Sequence, residues 1–383
     1  MTVTAPVGFR AAGIRSGIKA SGGYDLALVV NDGPLTHAAA VFTRNRFQAA
    51  PVQWSQQCVI DGRIDAVVLN SGGANACTGP QGFLDTHVTA ERVAAALNVS
   101  ALDVAVCSTG LIGELLPMDE LLAGVDTAAA ALTPDGGSDA ALAIMTTDSV
   151  SKTAAVTVDG FTVGGMAKGA GMLAPGLATM LVVVTTDAVI DAQSLQTALR
   201  SVTSSTFDRI DSDGCMSTND TVLVMASGAS GISPSREVFE QALDVVCSDL
   251  ARQLIADAEG ASKDIRIDVI NAVDTADAVD VARAISRSNL LKCAIHGEDP
   301  NWGRVLSAAG TTQAIFEPDQ VSVAINDVWV CRNAAPDADR SLVDMSGREV
   351  VITVDLAAGA DEASLWTNDL TADYVHENSA YSS

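Results

Sequence analysis

Aromatic side chains are scarce in this chain, at 4% of 383 residues. Its core therefore has to be assembled from Ala, Val, Leu and Ile rather than from stacked rings. Positive charge is also short, with 22 Lys and Arg against 47 Asp and Glu and a formal net charge of −25. Such a surface repels phosphate backbones, which argues against nucleic acid as a partner. No stretch approaches the ~18 apolar residues of a membrane span, and the opening Met1-Thr-Val-Thr-Ala-Pro-Val-Gly8 carries no apolar signal segment. The seven cysteines are scattered, odd in number and without a CxxC pair. Reduced thiols account for that usage, so the expectation is a cytoplasmic chain without a membrane partner or a metal. The four histidines, at 37, 87, 296 and 376, lie in no block that suggests a catalytic triad.

What is present points to a globular protein: 48% hydrophobic and 18% charged residues are enough for a sizeable core. Segments 65–70, 103–107, 152–158 and 180–184 read as strands, the first two as short buried ones, the third as half-exposed and the last as a fully apolar run. Leu195, Ala198, Leu199 and Val202 recur with helical spacing, and a long helix is expected from Arg236 to about Ala258, opened by Ser233-Pro234-Ser235. A further helix is expected over 275–290. Val321, Val323 and Ile325, the turn residues Asn326-Asp327, then Val328 and Val330 spell a hairpin, and 350–356 alternates as another strand. The interleaving predicts an α/β fold, with α+β layers of mixed sheets sandwiched by helices. It also suggests a division into residues 1–280 and a smaller C-terminal α/β domain, 281–383.

One stretch stands out. From Gly164 to Asp187, glycine and Pro175 punctuate the first half and Met180-Leu-Val-Val-Val184 forms the second. A tightly turning loop thus delivers Ala178-Thr179 to the start of a strand. The glycines match neither GxxxxGK[ST] nor GxGxxG, so a phosphate cradle is rejected. On these grounds alone the run is a glycine-rich loop between strands.

The segment resembles the self-processing motif of the ornithine acetyltransferase (glutamate N-acetyltransferase) family of arginine biosynthesis. The resemblance rests on Lys168-Gly169, Met172, Pro175, Ala178-Thr-Met-Leu181 and Thr185-Thr-Asp187. It extends through Ala40-Val-Phe-Thr-Arg-Asn45, Ala50-Pro-Val52, Asn75-Ala-Cys-Thr-Gly79, Ser108-Thr-Gly-Leu-Ile-Gly113 and Met145-Thr-Thr-Asp148. Further on come Ser217-Thr-Asn-Asp-Thr221, Asp257-Ala-Glu-Gly260, Asp299-Pro-Asn-Trp-Gly-Arg304 and Asn378-Ser-Ala-Tyr-Ser-Ser383. The sequence departs from the family's usual residues at Gly73, Ser149, Cys215-Met216 and His296.

The resemblance implies a fold of N-terminal-nucleophile type and a self-cut between Ala178 and Thr179. The products would be an α chain, 1–178, and a β chain, 179–383. It makes Thr179 the nucleophile, Thr109 and Gly110 the oxyanion hole, and Thr146, Lys168, Thr179, Glu259, Asn378 and Ser383 substrate contacts, the last two bringing the C-terminal tail to the site. Acetyl would pass from N-acetylornithine to Thr179 and on to glutamate. No cofactor is implied, although acetyl-coenzyme A is an alternative donor in some members. The α and β chains would assemble as α2β2. The sequence leaves two rivals: a self-processing aminopeptidase or amidase of related design, and an amino-acid-binding protein without activity.

Overall fold

The computed structural model describes residues 2–174 and 180–380. The expectations placed on Ala178, Thr179 and Ser383 lie outside the described residues.

The chain divides into two compact units. The first takes in the chain up to Asp208 together with Cys215–Asp257. It contains β1 (Phe9–Ile14), β2 (Leu26–Asn31), β3 (His37–Phe42), α1 (Ala50–Cys58), β4 (Ala66–Ser71), α2 (Gly79–Leu97), β5 (Val104–Thr109), α3 (Met118–Ala130) and α4 (Gly137–Ala143). There follow β6 (Lys152–Val158), β7 (Phe161–Lys168), β8 (Leu181–Thr186), α5 (Ala192–Ser205), β9 (Thr221–Ala226) and α6 (Arg236–Ala256).

Two sheets organise this unit, one in the order β1-β2-β4-β5 and one in the order β3-β9-β8-β7-β6. Each is mixed: β4 and β5 run parallel, as do β8 and β9, while the other neighbours are antiparallel. Strands β2, β4, β5, β8 and β9 are buried along their whole length. That is why they read as continuous apolar runs rather than alternating ones. Leu26, Leu28, Val67 and Leu69 share one core cluster with Met166, Leu181, Val183 and Leu223. With few aromatics, small residues set the layer spacing. A Cβ added at Gly13 in β1 would stand 1.9 Å from the Asp139 carbonyl oxygen of α4, so only glycine permits that approach.

The second unit comprises Arg209–Gly214 and the chain from Ala258 onward. It holds β10 (Asp264–Ala272), α7 (Thr275–Ser286), α8 (Asn289–His296), α9 (Trp302–Ala309), β11 (Ser322–Ile325), β12 (Val328–Arg332), β13 (Ala335–Pro336), β14 (Glu349–Asp355), β15 (Asp361–Asn368) and α10 (Ala372–Ala380). Its sheet has the order β13-β12-β11-β14-β10-β15, with β10 and β14 parallel. Ile267, Val269, Val323, Ile352 and Val354 pack with Val281, Ile285 and Val305 in its own core.

Most expected elements are present as α/β layers with mixed sheets. Strand β6 has the expected bounds, and the β11–β12 hairpin turns through Asn326 and Asp327 at φ 46° and 66°, the double left-handed geometry of a tight hairpin. The helix expected over 275–290 is instead two. α7 ends at Ser286, and Ser288, in an extended conformation, accepts the Leu291 N–H to cap α8. A partition at 280/281 would cut through α7; the units instead separate between Asp257 and Ala258.

Candidate active site

β7 and β8 are antiparallel neighbours with Lys168 opposite Leu181, so the glycine-rich run leaves and returns at adjacent strand ends. β5, in the other sheet of the first unit, ends at Thr109, followed by Gly110 at φ +135°. The Thr109 carbonyl accepts the N–H groups of Gly72 and Gly73 at 2.9 and 3.0 Å, which fixes the end of the strand. A Cβ on Gly110 would fall 2.4 Å from the Gly73 nitrogen, so both the backbone angle and the crowding require glycine.

Lys168 brings these pieces together. Its side chain is buried, and its Nζ donates to Thr109 Oγ1 at 3.3 Å and lies 4.0 Å from Asp148 Oδ2. Since the Thr109 oxygen accepts from an ammonium, its own hydrogen is left to donate elsewhere. Thr146 is half-buried beside this group, and its N–H donates to Asp148 Oδ2 at 2.9 Å.

Three charged groups that the sequence reading did not single out complete the first unit's site. Asp148 accepts from Lys152 Nζ at 2.7 Å and from the Gly169 N–H at 2.6 Å. Lys152, fully buried, also donates to Asp257 Oδ2 at 2.6 Å, and Asp257 in turn receives the Ser149 hydroxyl and N–H. Burial pushes the Asp148 carboxyl up, but Lys168, Lys152 and the Thr146 N–H outweigh it and hold the group at about 2. An unpaired ion would be costly here; the alternation Lys168–Asp148–Lys152–Asp257 leaves no charge alone. The blocks Met145-Thr-Thr-Asp148 and Asp257-Ala-Glu-Gly260 were the available signal, but a lone acid or lysine does not announce burial.

Within the second unit, Glu259 and Asn378 meet. Asn378 Nδ2 donates to Glu259 Oε2 at 3.0 Å and to the Tyr374 carbonyl oxygen at 3.0 Å. α10 is held there by Thr371, which accepts the Tyr374 N–H and donates to the Gly260 carbonyl. Gly260, at φ +63°, allows the approach: a Cβ would sit 2.2 Å from the Tyr374 nitrogen. Ser262, His296 and Asp369 also cluster in this unit, but not as a relay. His296 Nδ1 faces both Ser262 Oγ and Asp369 Oδ2, and Ser262 itself donates to Asp369. The same ring nitrogen serves both partners, whereas a serine triad uses the two ring nitrogens separately.

Acyl transfer places negative charge on a carbonyl oxygen, and donors held away from water stabilise it. A buried ammonium behind a strand-end hydroxyl and a glycine amide offers donors of the kind an acyltransferase needs. Comparison with known proteins narrows the class: the ArgJ family model matches residues 10–383, and the chain belongs to that family. It is 67% identical to the arginine biosynthesis bifunctional protein ArgJ of Streptomyces avermitilis and 66% identical to that of Streptomyces coelicolor, each over the full length of both chains. Among solved structures, an ornithine acetyltransferase of Mycobacterium tuberculosis complexed with ornithine is 61% identical. That match covers 47% of this chain and 96% of the other, with a TM-score of 0.45. Among the described residues no helix is long and apolar enough to cross a membrane.

Proposed function

We propose that the chain cuts itself between Ala178 and Thr179 and then shuttles acetyl from N-acetylornithine to glutamate through Thr179. The observation that carries this reading is the 3.3 Å contact between Lys168 Nζ and Thr109 Oγ1. It links the strand leading into the glycine-rich run with the strand end implied to hold the oxyanion.

In the first step the Thr179 hydroxyl attacks the Ala178 carbonyl carbon. The C–N bond breaks, the nitrogen takes the hydroxyl proton, and an ester remains. Water hydrolyses the ester, leaving the Ala178 carboxylate and a free Thr179 α-amine. A threonine hydroxyl needs a base, and an α-amine that titrates near ~8 is available as one on the same residue. In transfer, that amine takes the hydroxyl proton as Oγ attacks the acetyl carbon, and ornithine leaves after its nitrogen is protonated. Glutamate's amine then attacks the acetyl ester and restores the hydroxyl.

Each tetrahedral intermediate carries an oxyanion, for which the Thr109 hydroxyl and the Gly110 N–H are the donors. Lys168, donating to Thr109, reinforces that hydroxyl as a donor. Thr146 and Lys168 would contact the substrate carboxylate, and Glu259, with Asn378 and Ser383 of the tail, the ornithine ammonium. Acetyl-coenzyme A would be an alternative donor, loading the same hydroxyl. Cytoplasmic α2β2 assembly of chains 1–178 and 179–383 completes the proposal.

The test is ornithine release from N-acetylornithine with and without glutamate, in wild type and Thr179→Ala. Sustained release only with glutamate, and none from an uncut Thr179→Ala chain, is the expected result. Release independent of glutamate would make the protein a hydrolase, and a cut, active Thr179→Ala protein would overturn the nucleophile.

A further inference from the structure

The block Ser217-Thr-Asn-Asp-Thr221 has no part in the chemistry above, yet two adjacent side chains in it grip both sides of the site. Asn219 is buried, and its Nδ2 donates to the Ser108 carbonyl oxygen at 2.8 Å and the Ala74 carbonyl oxygen at 2.6 Å. Ser108 is bonded to Thr109; Ala74 belongs to the turn whose Gly72 and Gly73 N–H groups hold the Thr109 carbonyl. The amide is oriented without ambiguity, because both carbonyls only accept and because the Thr218 hydroxyl donates to Asn219 Oδ1 at 2.6 Å. Asp220, also fully buried, accepts the Met180 N–H on Oδ1 at 3.0 Å. Met180 is the residue joined to Thr179.

The pair is itself anchored. The Asn219 N–H donates to Ser217 Oγ at 3.0 Å, Thr43 Oγ1 donates to the Ser217 carbonyl at 2.6 Å, and the Asp220 carbonyl accepts the Thr43 N–H at 3.0 Å. From there the chain enters β9 beside β8, with Thr221 opposite Leu181.

We infer that Asn219 and Asp220 are positioning residues that set the distance between the oxyanion donors and Met180, the residue joined to the nucleophile. Asn219 holds the end of β5 and its turn; Asp220 holds the residue that leads into β8. A single peptide link separates the two grips, so neither strand end can shift along the other without losing a buried hydrogen bond. Burial pushes the Asp220 carboxyl well above the ordinary carboxylate range, against the opposing pull of the Met180 N–H, the Ser217 hydroxyl and Lys168. Asparagine keeps an oxygen that can accept the Met180 N–H.

This inference rests on Thr179 being the nucleophile and Thr109 and Gly110 the oxyanion donors, and the experiment separates the two claims. Self-cutting is followed on freshly refolded chain. Transfer is followed at steady state, with rates normalised to the burst of ornithine that counts working sites, for wild type, Asp220→Ala, Asp220→Asn, Asn219→Ala and Thr179→Ala. Asp220→Ala and Asn219→Ala are expected to slow cutting and to lower kcat per working site at least tenfold, with KM within about threefold of wild type. Asp220→Asn, which keeps the acceptor, is expected to regain most of that loss. Residues that only stabilised the fold would reduce the number of working sites but not kcat per site. Wild-type kcat per site in Asp220→Ala, or no recovery in Asp220→Asn relative to Asp220→Ala, overturns the inference and leaves the nucleophile reading intact. Activity in Thr179→Ala overturns that reading instead. If Asn219→Ala does not fold, the two Asp220 variants still decide.

Discussion

Taken alone, Asp148 is one of 47 acids in a chain of net charge −25; buried between Lys152 and Lys168, it is the counter-charge of both. The depressed carboxyl gives a signed expectation. Its contribution to stability is fully present above its ordinary value of 3.8 and is lost as pH falls through about 2. A shift of that size corresponds to on the order of 2 kcal/mol. Asp148→Asn removes it and leaves Lys168 without its carboxylate, so a loss of about 3 kcal/mol at neutral pH is expected from denaturant unfolding. The gap between wild type and variant should narrow from pH 3.8 downward; a gap independent of pH over that interval would refute the assignment. At this scale the sequence was partly legible. Lys168 and Thr109 came from the family motif and meet in space. Asp148, Lys152 and the Asn219–Asp220 pair were quoted within blocks or strands but not understood, because their meaning depends on partners far along the chain, such as Asp257 for Lys152 and Met180 for Asp220.

Among the elements, those whose burial pattern is local were the easiest to read. α5 turns Leu195, Ala198, Leu199 and Val202 inward, and α6 begins at the Ser235 cap. The break between α7 and α8 was missed because apolar spacing continues across Ser288, and only the cap reveals the turn. The strand end at Thr109-Gly110 carries its own prediction. In Gly110→Ala the new methyl meets the Gly73 nitrogen and the residue has to leave φ +135°, moving the N–H proposed as an oxyanion donor. Self-cutting and acetyl transfer should both fall by about 100-fold, the scale of one lost oxyanion donor. If one rate falls and the other holds, the two reactions draw on different donors.

At the scale of the molecule, sequence order hides the organisation. The first unit closes only when Cys215–Asp257 returns to it, and the second borrows Arg209–Gly214 from the middle of the chain. Arg287 and Lys292 tie that short segment down through Asp211 and the Ser212 carbonyl. A linear reading looks for one boundary and so expected it near 280. The layered mixed-sheet architecture was legible because alternating and continuous apolar runs are interleaved along the chain. The partition was not, because it depends on which distant strands pair.

Intact mass spectrometry of the purified protein, before and after N-acetylornithine is added without glutamate, tests the central claim most directly. Division of the 39.2 kDa chain at residue 178 predicts two species of about 18 and 21 kDa. On addition of the donor, the heavier should gain about 42 Da, the mass of one acetyl ester, at its first residue. A single uncut chain, or an acetyl group on the lighter species, would contradict the account.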